Sequence, residues 1–468
     1  MEEYPWLKHY DKDIPHTLQP YPDKTMIDVV DESAGARPYR AVFFFKGAKL
    51  LYDDFIRLSN ALAMGLAASG VKSGDRVAML LPNSPQMVIA FQGIWRAGAI
   101  AVPLDPLATE FELRHILKEI DPAAVIVLKP FYTAVKRLQA GTNIKTVILT
   151  SLKEFKPANS AFMHALTQER DKGSRISLVK GDVYFQDLVR KYKNKGRPHI
   201  YIRSSDPAVI LFSGGTTGRA RGAVGTHQAL MITAIQINAW LYPAIYEWDD
   251  RVMLSMPMFH AWGLAVALGT AMVNHSSCIL ISNPRDWTDI KRSIKKYRPA
   301  VMMDIPDFYT NLLEHMHKRS DLKGLRVCIS GVDRLPDEVS EKFHQATGIR
   351  LINHYSLTEA MGAPVMAPVP GVGKERSVGL PLPDVVVKLA DKDTGRALRA
   401  GQLGEVYIKA PNLMLGYWNQ PKETMSIMRD GWLRTGDIGY LDDDGYLFLS
   451  GRKRDLVKAA GNITENKP

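Results

Sequence analysis

The chain has 468 residues, 46% of them hydrophobic, which is enough for a large core and too long for one ordinary domain. Its two cysteines, Cys278 and Cys328, each lie in an apolar run, which excludes a disulfide framework or a zinc site and reads as buried thiols. The net charge of +11 suits anionic ligands such as nucleotides, or an anionic membrane; no nucleic-acid-binding motif is recognisable, so nucleic acid is not expected as a partner.

The opening residues, MEEYPWLKHYDKDIPHT, lack the basic region and apolar core of a signal peptide. A helix is predicted for YDDFIRLSNALAMGLAASG, with Phe55, Leu58, Leu62 and Leu66 at helical spacing and a stop at Gly70. GDRVAMLLP follows as a buried strand. NSPQMVIAFQGIWRAG then opens a helix with Ser84 as N-cap and Pro85 at its first position, closing at Gly98. AIAVPL and DPAAVIVL are further strands. The longest apolar stretch, MVIAFQGIWRAGAIAVPL, is broken by Arg96 and falls short of a membrane span, so a soluble cytoplasmic protein is expected.

Residues 169–203 concentrate Lys and Arg, and read either as a solvated connection or as a patch for peripheral contact with an anionic membrane surface, where each basic residue adds roughly 1 kcal/mol. The strand–helix rhythm resumes in DPAVILFSGG, PAVMMDIPD and LRVCISG, then in the helix LPDEVSEKFHQATG and the strand IRLINHYSLTEA. From about residue 385 short strands and turns take over, with hairpins at Asp-Thr-Gly and Asp-Asp-Gly. The expected class is α/β. The expected division is an N-terminal α/β subdomain over 1–203, a second over 204–384, a β-rich subdomain over 385–451 and a hinge over 452–468.

Chemistry enters at AVILFSGGTTGRARG, a strand running into a glycine-rich loop. Gly214, Gly215 and Gly218 allow backbone N–H groups to converge on an anion; Ser213, Thr216 and Thr217 add hydroxyl donors, and Arg219 and Arg221 add charge. The stretch lacks the G-x-x-x-x-G-K-[ST] pattern, so it is not the Walker phosphate loop.

This segment resembles the signature of the adenylate-forming superfamily of acyl-CoA synthetases, luciferases and peptide-synthetase adenylation domains, with Arg221 in place of the family's lysine. HYSLTEA (354–360) is similar to the family's aromatic-Gly-x-Thr-Glu motif, with Ser356 for glycine; LRTGDIGYLDDDGYLFLSGRKRD (433–455) and PMFHAWG (257–263) match further segments. The likeness runs through essentially the whole chain and is closest to prokaryotic long- or medium-chain fatty acyl-CoA ligases.

The resemblance implies two α/β subdomains packed together plus a smaller β-rich one. It also implies ATP-dependent, Mg²⁺-requiring conversion of a fatty acid to acyl-AMP and then acyl-CoA, with CoA as co-substrate. The 213–221 loop would hold the β- and γ-phosphates, Thr358 would contact phosphate and Glu359 would hold Mg²⁺. Asp437 would accept from both ribose hydroxyls with Arg452 in support. Tyr355 would stack on adenine, with His354, Gly331 and Val332 beside the nucleotide, Val332 being otherwise an ordinary core residue. His260 and Trp262 would border the acyl chain. A homodimer is compatible with the family.

Arg221 keeps the charge of lysine but not its shape. The family's small C-terminal domain, which carries its adenylation lysine, is expected to be absent, because the match stops soon after Arg454 and Asp455. An adenylation-only enzyme or a non-catalytic nucleotide- or acyl-binding homologue therefore stands as the alternative reading.

Overall fold

The computed structural model describes residues 4–155, 176–213, 220–316, 319–369, 373–391 and 394–452. Three sheets organise these residues. In the first, Arg76–Leu80 lies between Ile100–Pro103 and Ala124–Leu128, and Thr146–Thr150 and Val183–Tyr184 extend it, all in parallel. Pro207–Ser213 joins Ile100–Pro103 in parallel on the other side, followed by antiparallel Arg221–Thr226 and Gly416–Tyr417. The central strands are buried along their length, as parallel strands covered on both faces must be.

The second sheet has a parallel centre of Ser277–Leu280, Arg251–Leu254, Val301–Asp304, Val327–Ser330 and Leu351–Leu357. Gly362–Met366 and Leu380–Pro381 are added antiparallel at one edge; at the other Ala41–Phe45 joins Ser277–Leu280 in parallel, with Ala48–Leu51 antiparallel to it. A smaller antiparallel sheet contains Val386–Ala390, Gly404–Lys409, Trp432–Leu441 and Leu447–Arg452; its Asp-Asp-Gly turn closes on Gly445 at φ 82°. The hinge position Arg454 and everything after it lie outside the described residues.

Both large sheets cross the division expected at residue 203. Pro207–Ser213 and Arg221–Thr226 pair into the first sheet, while Ala41–Leu51 pairs into the second. Periodicity reports what each segment is, whereas strand partnership is a non-local choice. The described part of the basic segment is likewise no free connection: Val183–Tyr184 pairs with Thr146–Thr150, and the helix Phe185–Tyr192 buries Phe185, Leu188 and Val189.

Helices fill the space between the large sheets. Pro85–Arg96 is buried at every position, with the Ser84 hydroxyl accepting from Met87 N–H at 3.3 Å as its N-cap. It crosses the helix Tyr52–Ala68 so closely that a Cβ on Gly93 would stand 2.7 Å from Leu62 Cδ2. Arg96, which breaks the apolar stretch, is buried and paired: Nη2 donates to Asp31 Oδ1 at 2.6 Å and Nη1 to Asn60 Oδ1 at 3.1 Å. A buried guanidinium persists only with such partners. Both cysteines are buried free thiols, as expected.

Asn83, just before the N-cap, ties this layer to the second sheet. Its Nδ2 donates to the carbonyls of Leu254 at 3.0 Å and Met256 at 2.7 Å, and its Oδ1 accepts from Met258 N–H at 2.9 Å. One buried amide thus satisfies three backbone groups on the loop leading to His260 and Trp262. Asn83→Ala strands those groups and is expected to lower stability by about 3 kcal/mol, seen as an earlier urea midpoint with the slope of the transition unchanged.

Candidate functional site

The carboxyl ends of parallel strands are where an open α/β sheet presents ligands. Strand Pro207–Ser213 ends there in the register pair Ser213 and Arg221, with Ser213 Oγ donating to the Arg221 carbonyl at 3.5 Å. The base is rigid because Ala208–Leu211 is fully buried. Gly214, Gly215, Thr216, Thr217 and Gly218 lie outside the described residues.

On the second sheet, strand Leu351–Leu357 runs into a single 3₁₀ turn, Thr358–Ala360. Met361 closes that turn at φ 47°, donating its N–H to the Thr358 carbonyl at 3.0 Å, and the chain returns antiparallel as Gly362–Met366. Thr358 and Glu359 are therefore held half-exposed at a sheet end.

The two motifs, more than a hundred residues apart, are joined by a third segment. Met414 N–H donates to the Glu359 carbonyl at 2.8 Å, Leu415 N–H to the Val224 carbonyl at 2.8 Å and Trp418 N–H to the Gly222 carbonyl at 2.7 Å. Within it, the Tyr417 hydroxyl donates to Glu359 Oε1 at 2.6 Å, and the Arg221 guanidinium lies 5.5 Å from the Tyr417 ring centroid. Burial first, then the charge of Glu359, holds the Tyr417 hydroxyl well above its ordinary range. Tyr417 was not anticipated from the sequence. Only the neighbouring Gly416, at φ 149°, hints that this backbone is constrained.

Tyr355 and Asp437 also meet. The Tyr355 hydroxyl donates to Asp437 Oδ2 in a short bond, and both side chains are buried. Tyr355 thus reaches Asp437 edge-on with its hydroxyl, an interaction the expectation of adenine stacking did not include. Asp437 faces Arg452 in the register of Trp432–Leu441 and Leu447–Arg452, as the sequence placed them, and its N–H donates to Thr435 Oγ1 at 3.1 Å.

His354, expected beside the nucleotide, lies instead in the interior. Its Nδ1–H donates to the Ser330 carbonyl at 2.9 Å, and its ring sits 3.4 Å from that of Trp262, centroid to centroid. Burial pulls its pKa down to about 3, so the imidazole is neutral. The reason for Gly331 follows directly, because a Cβ there would overlap the His354 ring. Val332 is not a core residue. It is 57% exposed at φ 70°, a left-handed conformation that a β-branched side chain rarely adopts.

His260 and Trp262, expected to border the acyl chain, differ in burial. His260 is exposed in the turn after Pro257, whereas Trp262 is buried and opens a π-helix, Trp262–Gly269. π-Helices of this length are rare and concentrate at functional sites. Behind this one lies an enclosed apolar crevice lined by Phe55, Phe91, Trp95, Leu264, Leu268 and Met272, among others.

Among the described residues no group of three or more His, Cys, Asp or Glu side chains could cage a metal ion. A single carboxylate at Glu359 still fits Mg²⁺, which takes one or two carboxylates and completes its shell with water and phosphate oxygens.

The chain is similar to known proteins over most of its length. The family model for AMP-binding enzymes matches residues 30–418. The long-chain-fatty-acid–CoA ligase of Bacillus subtilis is 33% identical over 466 residues, covering 98% of this chain and 81% of that one. Its namesake in Yersinia pestis is 29% identical over 486 residues, covering 99% and 83%. The solved structure of a long-chain-fatty-acid-CoA ligase from Archaeoglobus fulgidus superposes with a TM-score of 0.80 at 22% identity, covering 96% of this chain and 88% of that one, which speaks to the fold.

Two substitutions test the site's architecture. Gly331→Ala forces the His354 ring from its place and is expected to destabilise by about 3 kcal/mol, with most of the thermal midpoint recovered in the double variant Gly331→Ala/His354→Ala. Val332→Gly relieves the left-handed strain and is expected to raise stability by about 1 kcal/mol, read from the same melts.

Proposed function

The chain belongs to the AMP-binding enzyme family, and from that premise we propose how its residues carry the activation of a fatty acid to acyl-AMP and then to acyl-CoA. In the first half-reaction a carboxylate oxygen of the acid attacks the α-phosphorus of ATP. The bond to the leaving pyrophosphate breaks, and its electron pair departs with that group. In the second, the sulfur of CoA attacks the acyl carbonyl carbon, AMP leaves with the C–O electrons, and the thiol proton passes to solvent.

The observation that carries the assignment of roles is the approach of residues far apart in sequence: Arg221 to Tyr417, Tyr417 to Glu359, and Tyr355 to Asp437. In-line displacement at phosphorus is governed by positioning and charge neutralisation, and this cluster supplies both. Arg221 brings positive charge to the base of the phosphate loop, and Ser213 with Thr216 and Thr217 adds donors. Thr358 offers a hydroxyl at the turn. Mg²⁺ held by Glu359 would neutralise phosphate charge.

Asp437 would bind the ribose hydroxyls. Because it already accepts from Tyr355, ribose binding must share or replace that bond, which couples the adenine side of the site to the ribose side. The apolar crevice walled in part by Leu264 and Leu268 of the π-helix marks the side on which the acyl chain would bind, and its walls would have to part to admit one. The exposed Lys180, Arg190, Lys191 and Lys195 would favour an anionic bilayer as a place to collect the acid.

Pyrophosphate exchange into ATP, measured with Mg²⁺ and without CoA across acids from acetate to palmitate, tests the assignment. Exchange is expected to depend on the acid and to rise with chain length. Glu359→Gln is expected to lower it about 100-fold or more, and Asp437→Asn to weaken ATP binding about tenfold. ATP binding without exchange for any acid would favour a nucleotide-binding homologue instead.

A further inference from the structure

Arg221 stands where the family's lysine is expected, and Tyr417 lies against it. A guanidinium is planar, delocalised and weakly hydrated, so it gains from an aromatic face in a way that the compact, strongly hydrated ammonium of lysine does not. The same ring carries a hydroxyl that donates to Glu359 Oε1 at 2.6 Å. The tyrosine therefore stands between a cation and an anion, with Arg221 5.5 Å from its ring centroid and Glu359 on its hydroxyl.

We infer that Tyr417 is a positioning residue that orients the Glu359 carboxylate for the metal and holds the Arg221 guanidinium in place at the start of strand Arg221–Thr226, so that arginine at 221 and tyrosine at 417 work as a pair. This rests on the reading of Glu359 as the metal-holding carboxylate.

The backbone around Tyr417 is built to hold it still. Its N–H donates to Thr424 Oγ1 at 2.9 Å, and Gly416 packs so tightly on that threonine that a Cβ would stand 2.8 Å from Thr424 Cγ2. Tyr417 pairs with Ala223 and Gly416 with Val224, which brings the tyrosine alongside Arg221 on the same strand edge. The Met414 bond to the Glu359 carbonyl fixes the other end. No described Lys or Arg forms an ion pair with Glu359, so the phenol is its close polar neighbour from this segment. A hydroxyl donor on Oε1 limits rotation of the carboxylate and directs Oε2 elsewhere, and it does so without the neutralising charge that a lysine would bring. A metal site needs such a preserved negative charge.

The test is calorimetric titration of ATP into the full chain at a series of Mg²⁺ concentrations, with melting curves to confirm folding. Tyr417→Phe keeps the ring over Arg221 and loses the hydroxyl. It is expected to raise the Mg²⁺ concentration for half-maximal ATP affinity about 5- to 10-fold while leaving affinity at saturating Mg²⁺ unchanged. Tyr417→Leu loses both contacts and is expected to weaken ATP binding at saturating Mg²⁺ as well. Arg221→Lys is expected to reduce ATP affinity more in the native background than in Tyr417→Leu, because the brace is then already gone.

A wild-type Mg²⁺ dependence in Tyr417→Phe, alongside an impaired Glu359→Gln, overturns the positioning role. Additive effects of Arg221→Lys and Tyr417→Leu overturn the pairing. If Glu359→Gln itself keeps a wild-type Mg²⁺ dependence, the metal reading of Glu359 falls first. Should Tyr417→Leu fail to fold, the Arg221→Lys/Tyr417→Phe double variant decides the metal half, since the aromatic packing is retained.

Discussion

A two-residue strand holds the centre of this molecule. Gly416–Tyr417 lies antiparallel on Arg221–Thr226, and its flanking N–H groups reach both the phosphate-loop strand and the Glu359 carbonyl. Backbone pairing is directional and tolerates little slip, since a shift of one residue would turn Tyr417 to the opposite face. That pairing binds an edge of the first sheet to the Glu359 end of the second. Charge, hydroxyls and carboxylate are consequently assembled by main-chain geometry, and side-chain flexibility has little part in placing them.

Beneath that edge, the layer of buried helices gives the sheets a fixed separation. Helix Pro85–Arg96 has no exposed face, and its contact with Tyr52–Ala68 depends on glycine at the crossing. The paired Arg96 and the Asn83 amide show how this layer admits polar groups: Asn83 meets the backbone of Leu254, Met256 and Met258, and Arg96 is held through Nη1 and Nη2 while its Nε stays without a partner. Where such satisfaction is incomplete, the location is informative. Nε2 of His354 and Nε1 of Trp262 are buried without a hydrogen-bond partner, and Val332 keeps a strained backbone two residues beyond Ser330. Local conflicts of this kind collect where a protein binds ligands.

The Asp304 carboxyl belongs to the same region. It closes strand Val301–Asp304, pairs with the Ser255 hydroxyl and accepts from Ile305 N–H at 2.8 Å, while its own carbonyl accepts from Gly331 N–H at 3.3 Å. Burial pushes its pKa up to about 7. Its carbonyl thus ties the Gly331–Val332 loop to the end of strand Val301–Asp304.

The amino-acid sequence determined the element types, the buried cysteines, the Ser84 cap, the late change to hairpins and the placing of Ser213, Arg221, Thr358 and Glu359 at strand ends. These are local properties: periodicity, capping chemistry and short motifs are written in neighbouring residues. It also raised the question of Arg221. Tertiary structure alone decided that strands on either side of residue 203 exchange sheets, that His354 packs tilted against Trp262 in the interior while His260 is exposed, and that Tyr417 stands between Arg221 and Glu359. Each depends on contacts between distant segments, whose free energy comes from packing and pairing that no short window of sequence contains.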